Sequence, residues 1–241
     1  MTYCVGLLLN DGMVLLSDTR TNAGLDNIST YRKMFTFEDP GERVITIMTA
    51  GSLSVTQTTI ARLREAVEDV ESTAETSILK APTLLKVAEM VGNMLASVRA
   101  EIDEKLSAMN QGATASMIVA GQRKGGAMRL FLIYPEGNFI EATEDTPFLQ
   151  IGEHKYGKPI LDRVVKPMTS IADAKKAVLL SMDSTLRSNL SVGMPLDLAV
   201  IEKDALTVTQ RRRIEAGDEQ FRAMSEAWSK ALRDGFVQIN I

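Results

Sequence analysis

The second residue of the chain is a threonine directly behind Met1, and Asp18, Lys33 and Gly51 follow at the ends of apolar runs. Removal of a methionine that precedes a small residue would leave Thr2 with a free α-amine beside its own hydroxyl. That pairing is a nucleophile and its base in one residue, because a threonine hydroxyl attacks a carbonyl only when an adjacent group accepts its proton. An α-amine titrates at about 7.7–8.0, near working pH, and a neighbouring ammonium lowers it by disfavouring a second positive charge. Lys33 could supply that charge. Asp18 is its natural counter-ion, since a buried lysine without an anionic partner is costly. Gly51, where a strand gives way to a helix, would present its N–H near the helix's positive end as a donor to a developing oxyanion. Acyl transfer at Thr2 is thus assembled without histidine, of which the chain has one, His154.

The elements that must hold these residues follow from periodicity. Apolar runs over 5–9 and 13–16, separated by Asn10-Asp11-Gly12, predict an opening hairpin. Further strands are predicted over 32–37 and 44–50, with a turn at 38–42. Val55, Ile60, Leu63 and Val67 then mark the buried stripe of a helix with Ser52 placed to cap it, and a second helix runs from Pro82 to about Leu106. Strands return over 117–120, 128–134, from 139, and over 148–151. Two more helices are predicted over 156–165 and 171–186, a last hairpin from 196–201 and 205–209, and a C-terminal helix over about 216–232. Phe221, Met224, Trp228 and Leu232 give that last helix an apolar stripe to cover the sheet or another subunit. Strands, then helices, then strands again argues for stacked antiparallel sheets flanked by helices rather than βαβ units.

Composition narrows the function. A length of 241 residues, 45% hydrophobic, suits one substantial core, so a single domain over 1–241 is expected. The net charge of −4 argues against a nucleic-acid partner, and the run Gln210-Arg211-Arg212-Arg213 reads as a solvated strand end. One cysteine and one histidine exclude an internal disulfide, a multi-cysteine zinc site and a two-histidine site within the chain, and no metal or other cofactor is expected. The opening run lacks a positive flank and stops at Asn10, so neither a signal peptide nor a membrane span is expected, and a cytoplasmic location is. Cys4, on the same strand face as Thr2, reads as a small buried thiol.

The frame formed by Thr2, Asn10-Asp11-Gly12, Ser17-Asp18-Thr19-Arg20-Thr21, Lys33 and Thr49-Ala50-Gly51 resembles the proteasome β subunits and related bacterial peptidases, members of the N-terminal-nucleophile hydrolase superfamily. The start Met1-Thr2-Tyr3-Cys4-Val5 is similar to the Anbu-type bacterial branch of that family, and no propeptide is expected ahead of Thr2. The resemblance implies an α+β fold, a four-layer αββα sandwich of two antiparallel sheets. It implies a threonine-type peptidase in which Thr2 is nucleophile and base, Lys33 the pKa-lowering cation, Asp18 its anchor and the Gly51 N–H the oxyanion donor. Backbone around Thr21 and Asn22 would pair with an extended peptide or amide substrate, and side chains at Thr49 and Leu53 would shape the pocket. Aligned on Ser191-Val192-Gly193, the catalytic set extends to Ser191 and to Ser188, which stands where the family usually has an aspartate; aligned on Gly152, Glu153 stands where it has a serine. Tyr3 replaces a common threonine. Assembly into a homo-oligomeric ring or open spiral, with room for a regulatory partner, is expected by analogy. Two alternatives stand beside the peptidase: a catalytically vestigial assembly subunit, and a small-molecule amidase or acyl transferase.

Overall fold

The computed structural model describes residues 1–22, 28–106 and 112–239. Strand β1 (Tyr3–Leu9) and β2 (Gly12–Asp18) form the opening hairpin, with Leu9 opposite Gly12 and Cys4 opposite Ser17. A small hairpin of β3 (Arg20–Asn22) and β4 (Ile28–Thr30) follows, which a polar stretch without alternation did not announce. Next come β5 (Met34–Asp39), β6 (Arg43–Gly51), helix α1 (Leu53–Glu68) and helix α2 (Leu84–Leu106). Four strands then run in series, β7 (Ala115–Arg123), β8 (Arg129–Ile133), β9 (Phe139–Glu141) and β10 (Phe148–Gly152). A 3-10 turn at His154–Tyr156 leads into α3 (Lys158–Val164) and α4 (Ile171–Ser188), and the chain closes with β11 (Leu196–Glu202), β12 (Gln210–Ile214) and α5 (Glu219–Gln238).

The strands build two five-stranded antiparallel sheets, ordered β10-β1-β2-β11-β12 and β5-β6-β7-β8-β9. Strand alternation explains how the sheets stack, because both faces of each central strand are apolar. On β1, Tyr3, Val5 and Leu7 face α3 and α4, while Cys4 faces the other sheet. On β6, Ile45 and Ile47 face α1 and α2, while Val44 and Met48 face inward. Three buried layers therefore separate four layers of structure: helices α1 and α2, one sheet, the other sheet, and helices α3 to α5. This is the expected sandwich. Burying each of these large side chains is worth roughly 1.5–3 kcal/mol, so the strands are held on both faces rather than one.

Three local expectations need correction. The last hairpin pairs β11 with Gln210–Ile214, not with 205–209, and Leu196 lies opposite Ile214. Asp204 and Leu206 take left-handed backbone conformations, which lengthens the turn and delays the return strand. The arginine run is thus a paired edge strand, its residues 210–213 exposed. Ser52 precedes α1, but its side chain makes no capping bond and instead meets Ser54 at 3.0 Å. Helix α5 begins at Glu219, where Asp218 accepts the Phe221 N–H at 2.8 Å, and continues past the expected end at 232 to Gln238.

Candidate active site

Hairpin register does the first piece of positioning. Because Cys4 pairs with Ser17, residue 3 comes opposite Asp18, and the Tyr3 N–H donates to Asp18 Oδ1 at 3.1 Å. Thr2 lies one residue beyond. Its carbonyl accepts the Glu153 N–H at 2.7 Å, and Gly152 sits against it with φ +80°, so a Cβ at 152 would run into that carbonyl.

Lys33 arrives from the other sheet. Its carbonyl accepts the Thr49 N–H at 2.9 Å, which fixes its main chain beside β6. Its Nζ donates to Asp18 Oδ1 at 2.8 Å, to the Arg20 carbonyl at 2.6 Å and to the Met1 carbonyl at 3.5 Å. Asp18 is fully buried and Lys33 nearly so. The second carboxylate oxygen, Asp18 Oδ2, accepts the Gly193 N–H at 3.3 Å. Burial pushes the Asp18 carboxyl up, and the Lys33 ammonium, with the N–H groups of Tyr3 and Gly193, pulls it back. A charge pair this deep survives only when its remaining polar atoms are satisfied, and here backbone groups from residues 3, 20 and 193 do so.

One cavity of about 330 Å³ brings together Thr2, Lys33 and Gly51 with Thr21, Asn22, Thr49 and Leu53. Asp18 lies beneath Lys33. Gly51 ends β6 with φ +106°, and a Cβ there would collide with the Thr114 carbonyl, so the turn from β6 into α1 requires glycine. Ser52 and Thr56 also line the space; the spacing of Leu53 and Thr56 along α1 was the signal that could have found the latter. Met1 is exposed and still joined to Thr2, so the Thr2 nitrogen is here a peptide nitrogen.

Ser188, Ser191 and Glu153 do not line this cavity. Ser188 is exposed at the last residue of α4. Ser191 donates its N–H to Asn189 Oδ1 at 2.9 Å, in the loop that carries Gly193. Glu153 meets Thr2 through its backbone N–H. Cys4 is buried, and burial pushes its thiol up, leaving it inert; its Sγ donates to the Thr49 carbonyl at 3.7 Å. Among the described residues, no group of three or more His, Cys, Asp or Glu could hold a metal ion, and no helix is long and apolar enough to cross a membrane.

A family model for the proteasome subunit matches residues 2–201. Among solved structures, an Anbu (Gly-1) mutant from Hyphomicrobium sp. strain MC1 is similar over 100% of this chain and 99% of that one, at 48% identity and a TM-score of 0.93. Anbu, described as an ancestral β subunit, from Yersinia bercovieri is similar over 99% and 98% of the two chains, at 40% identity and a TM-score of 0.91. The helical assembly of the Anbu complex from Pseudomonas aeruginosa contains a chain similar over 99% and 97%, at 44% identity and a TM-score of 0.93. No curated protein matches. With one family model spanning most of its length and full-length likeness to three Anbu structures, this chain belongs to the proteasome subunit family, in its Anbu-type branch.

Proposed function

We propose that the chain is an N-terminal threonine hydrolase that cleaves peptide or amide bonds through an acyl-enzyme on Thr2, inside a homo-oligomer of the cytoplasm. The observation that carries this reading is the buried Lys33 ammonium, paired with Asp18 and directed at the main chain that joins Met1 to Thr2. Once Met1 is removed, the Thr2 α-amine occupies that neighbourhood. A fixed ammonium there disfavours protonation of the amine and leaves it free to act as a base.

The amine takes the proton of Thr2 Oγ, and Oγ adds to the substrate carbonyl carbon. The oxygen of that carbonyl becomes an anion beside the Gly51 N–H at the head of α1. Collapse breaks the C–N bond, the departing amine receives the proton, and an ester on Thr2 remains. Water then attacks the ester as the α-amine takes its proton, the acyl C–Oγ bond breaks, Thr2 Oγ receives that proton from the amine, and the acid leaves. Thr21 and Asn22 flank the cavity as backbone partners for an extended substrate, and Thr49 and Leu53 shape the side-chain pocket. The helical assembly of the Pseudomonas aeruginosa relative supports self-association, as an open spiral or a ring.

One observation favours the alternatives of a vestigial assembly subunit or a small-molecule amidase or acyl transferase. Among the described residues, no side-chain carboxylate besides Asp18 bonds to the Thr2 segment, and Ser188 stands exposed where, by the sequence resemblance, proteasome β subunits usually have an aspartate. Intact mass before and after a peptide epoxyketone separates these readings, because that reagent needs a free terminal amine and a hydroxyl together. The expected result is loss of Met1 and one adduct, absent in Thr2→Ala. Unlabelled wild type beside a labelled proteasome control would sink the hydrolase reading.

A further inference from the structure

The hydrogen-bond ladder of β1 starts at Tyr3, opposite Gly152 on β10, and at Cys4, opposite Ser17 on β2. Thr2 therefore lies past the last rung, where strands ordinarily fray. The Glu153 N–H holds the Thr2 carbonyl, and the neighbouring peptides are held by the Asp18 carboxylate, which accepts the Tyr3 N–H, and by Lys33 Nζ, which reaches the Met1 carbonyl. A further tether is the side chain of Tyr3 itself. Tyr3 points away from the cavity into the apolar layer shared with Val5, Leu7 and Met182, and it is fully buried.

Its phenol is gripped from two elements. Gln150 Nε2 on β10 donates to the phenol oxygen at 2.6 Å, which leaves the phenol hydrogen for Ser181 Oγ on α4, also at 2.6 Å. Room for this cluster depends on residue 157 having no side chain: a Cβ there would strike Ser181 Oγ and lie 2.9 Å from the phenol oxygen. Burial pushes the phenol up to about 12, so it keeps its donor hydrogen throughout the working pH range. The same helix leads into the loop whose Gly193 N–H holds Asp18.

Phenylalanine would fill nearly the same volume without bringing any polar atom into an apolar layer. A buried polar cluster adds little net stability compared with packed carbon, but it fixes direction, since its hydrogen bonds are satisfied in one arrangement. We propose that Tyr3 is a positioning residue for Thr2: its phenol, held between Gln150 and Ser181, fixes the first peptide of β1 so that the Thr2 hydroxyl and amine face the cavity. The inference rests on the reading of Thr2 as nucleophile, and it deepens that reading by assigning a function to the residue that departs most visibly from the family's usual start.

The test uses the full chain as wild type, Tyr3→Phe, Ser181→Ala and the double variant, with amide hydrogen exchange and the time course of epoxyketone labelling as readouts. Exchange at residue 3 and at Glu153 is expected to rise about tenfold in each single variant, while Ile47 and Val119 in the other sheet keep their protection. The maximal labelling rate falls about tenfold at an unchanged half-saturating reagent concentration, and the double variant is no worse than either single. Unchanged exchange at residue 3, a rise shared equally by Ile47 and Val119, or labelling at the wild-type rate would each overturn the proposal. Should wild type itself take no adduct, the hydrolase reading falls, and the exchange pattern alone decides whether Tyr3 holds the strand end.

Discussion

Two ion pairs sit at opposite ends of β5, and their surroundings give the same chemistry opposite consequences. At one end Lys33 meets Asp18 with side chains only 6% and 0% exposed. At the other, Arg211 meets Glu38 at 3.0 Å with side chains 56% and 27% exposed. Water already solvates the exposed pair, so its mutual attraction adds little. Removing the buried pair from water is costly, and its geometry is retained only because backbone donors and acceptors complete it. An arrangement so unrewarding for stability is what a site needs when a charge must be kept unsolvated beside a reacting group.

The sharpest break of this comparison is Lys33→Met, which leaves Asp18 buried without its counter-ion. It is expected to cost about 3–5 kcal/mol in urea unfolding and to abolish labelling of Thr2. A loss no greater than that of a surface variant would erase the contrast.

Next in size is a pH effect in the same buried region. Tyr3 titrates at about 12 when folded, against 10.0 ordinarily. Between those values the folded state keeps a proton that the unfolded chain has lost, so stability falls as pH rises through the window, by about 3 kcal/mol in total. Urea unfolding from pH 9 to 12 should show a decline in wild type that is shallower in Tyr3→Phe, where the buried Cys4 thiol is left to resist ionisation.

Replacing both members together, Asp18→Asn with Lys33→Met, removes the stranded charge. Stability should return to within about 1–2 kcal/mol of wild type while labelling stays lost. Such a split would separate what the pair does for chemistry from what it does for folding. The smallest effect belongs to Arg211→Ala, about 0.2–1 kcal/mol, shrinking further in salt and leaving the labelling rate unchanged.

Position along the strands decided how much could be read in advance. The β1–β2 hairpin and the strand before α1 stood out because their residues are apolar on both faces over a full strand length, and Thr2, Asp18, Lys33 and Gly51 were visible as polar or flexible residues at the ends of those runs. The arginine strand β12 escaped because an edge strand exposed along 210–213 carries no alternation, its one buried residue being Ile214. The β3–β4 hairpin is three residues a side and polar, too short for any period. The cluster around Tyr3 joins residues 147 and 178 positions apart, a closeness that only the packing of α4 on the sheet creates.

The lone thiol of Cys4 lies between the two sheets, sealed from solvent. A disulfide reagent can reach it only when the sheets part, so its modification rate would act as an internal clock for opening of the sandwich. Because Thr2 lies two positions before it, just ahead of the same strand, that clock would also show whether an engaged inhibitor clamps the layers shut.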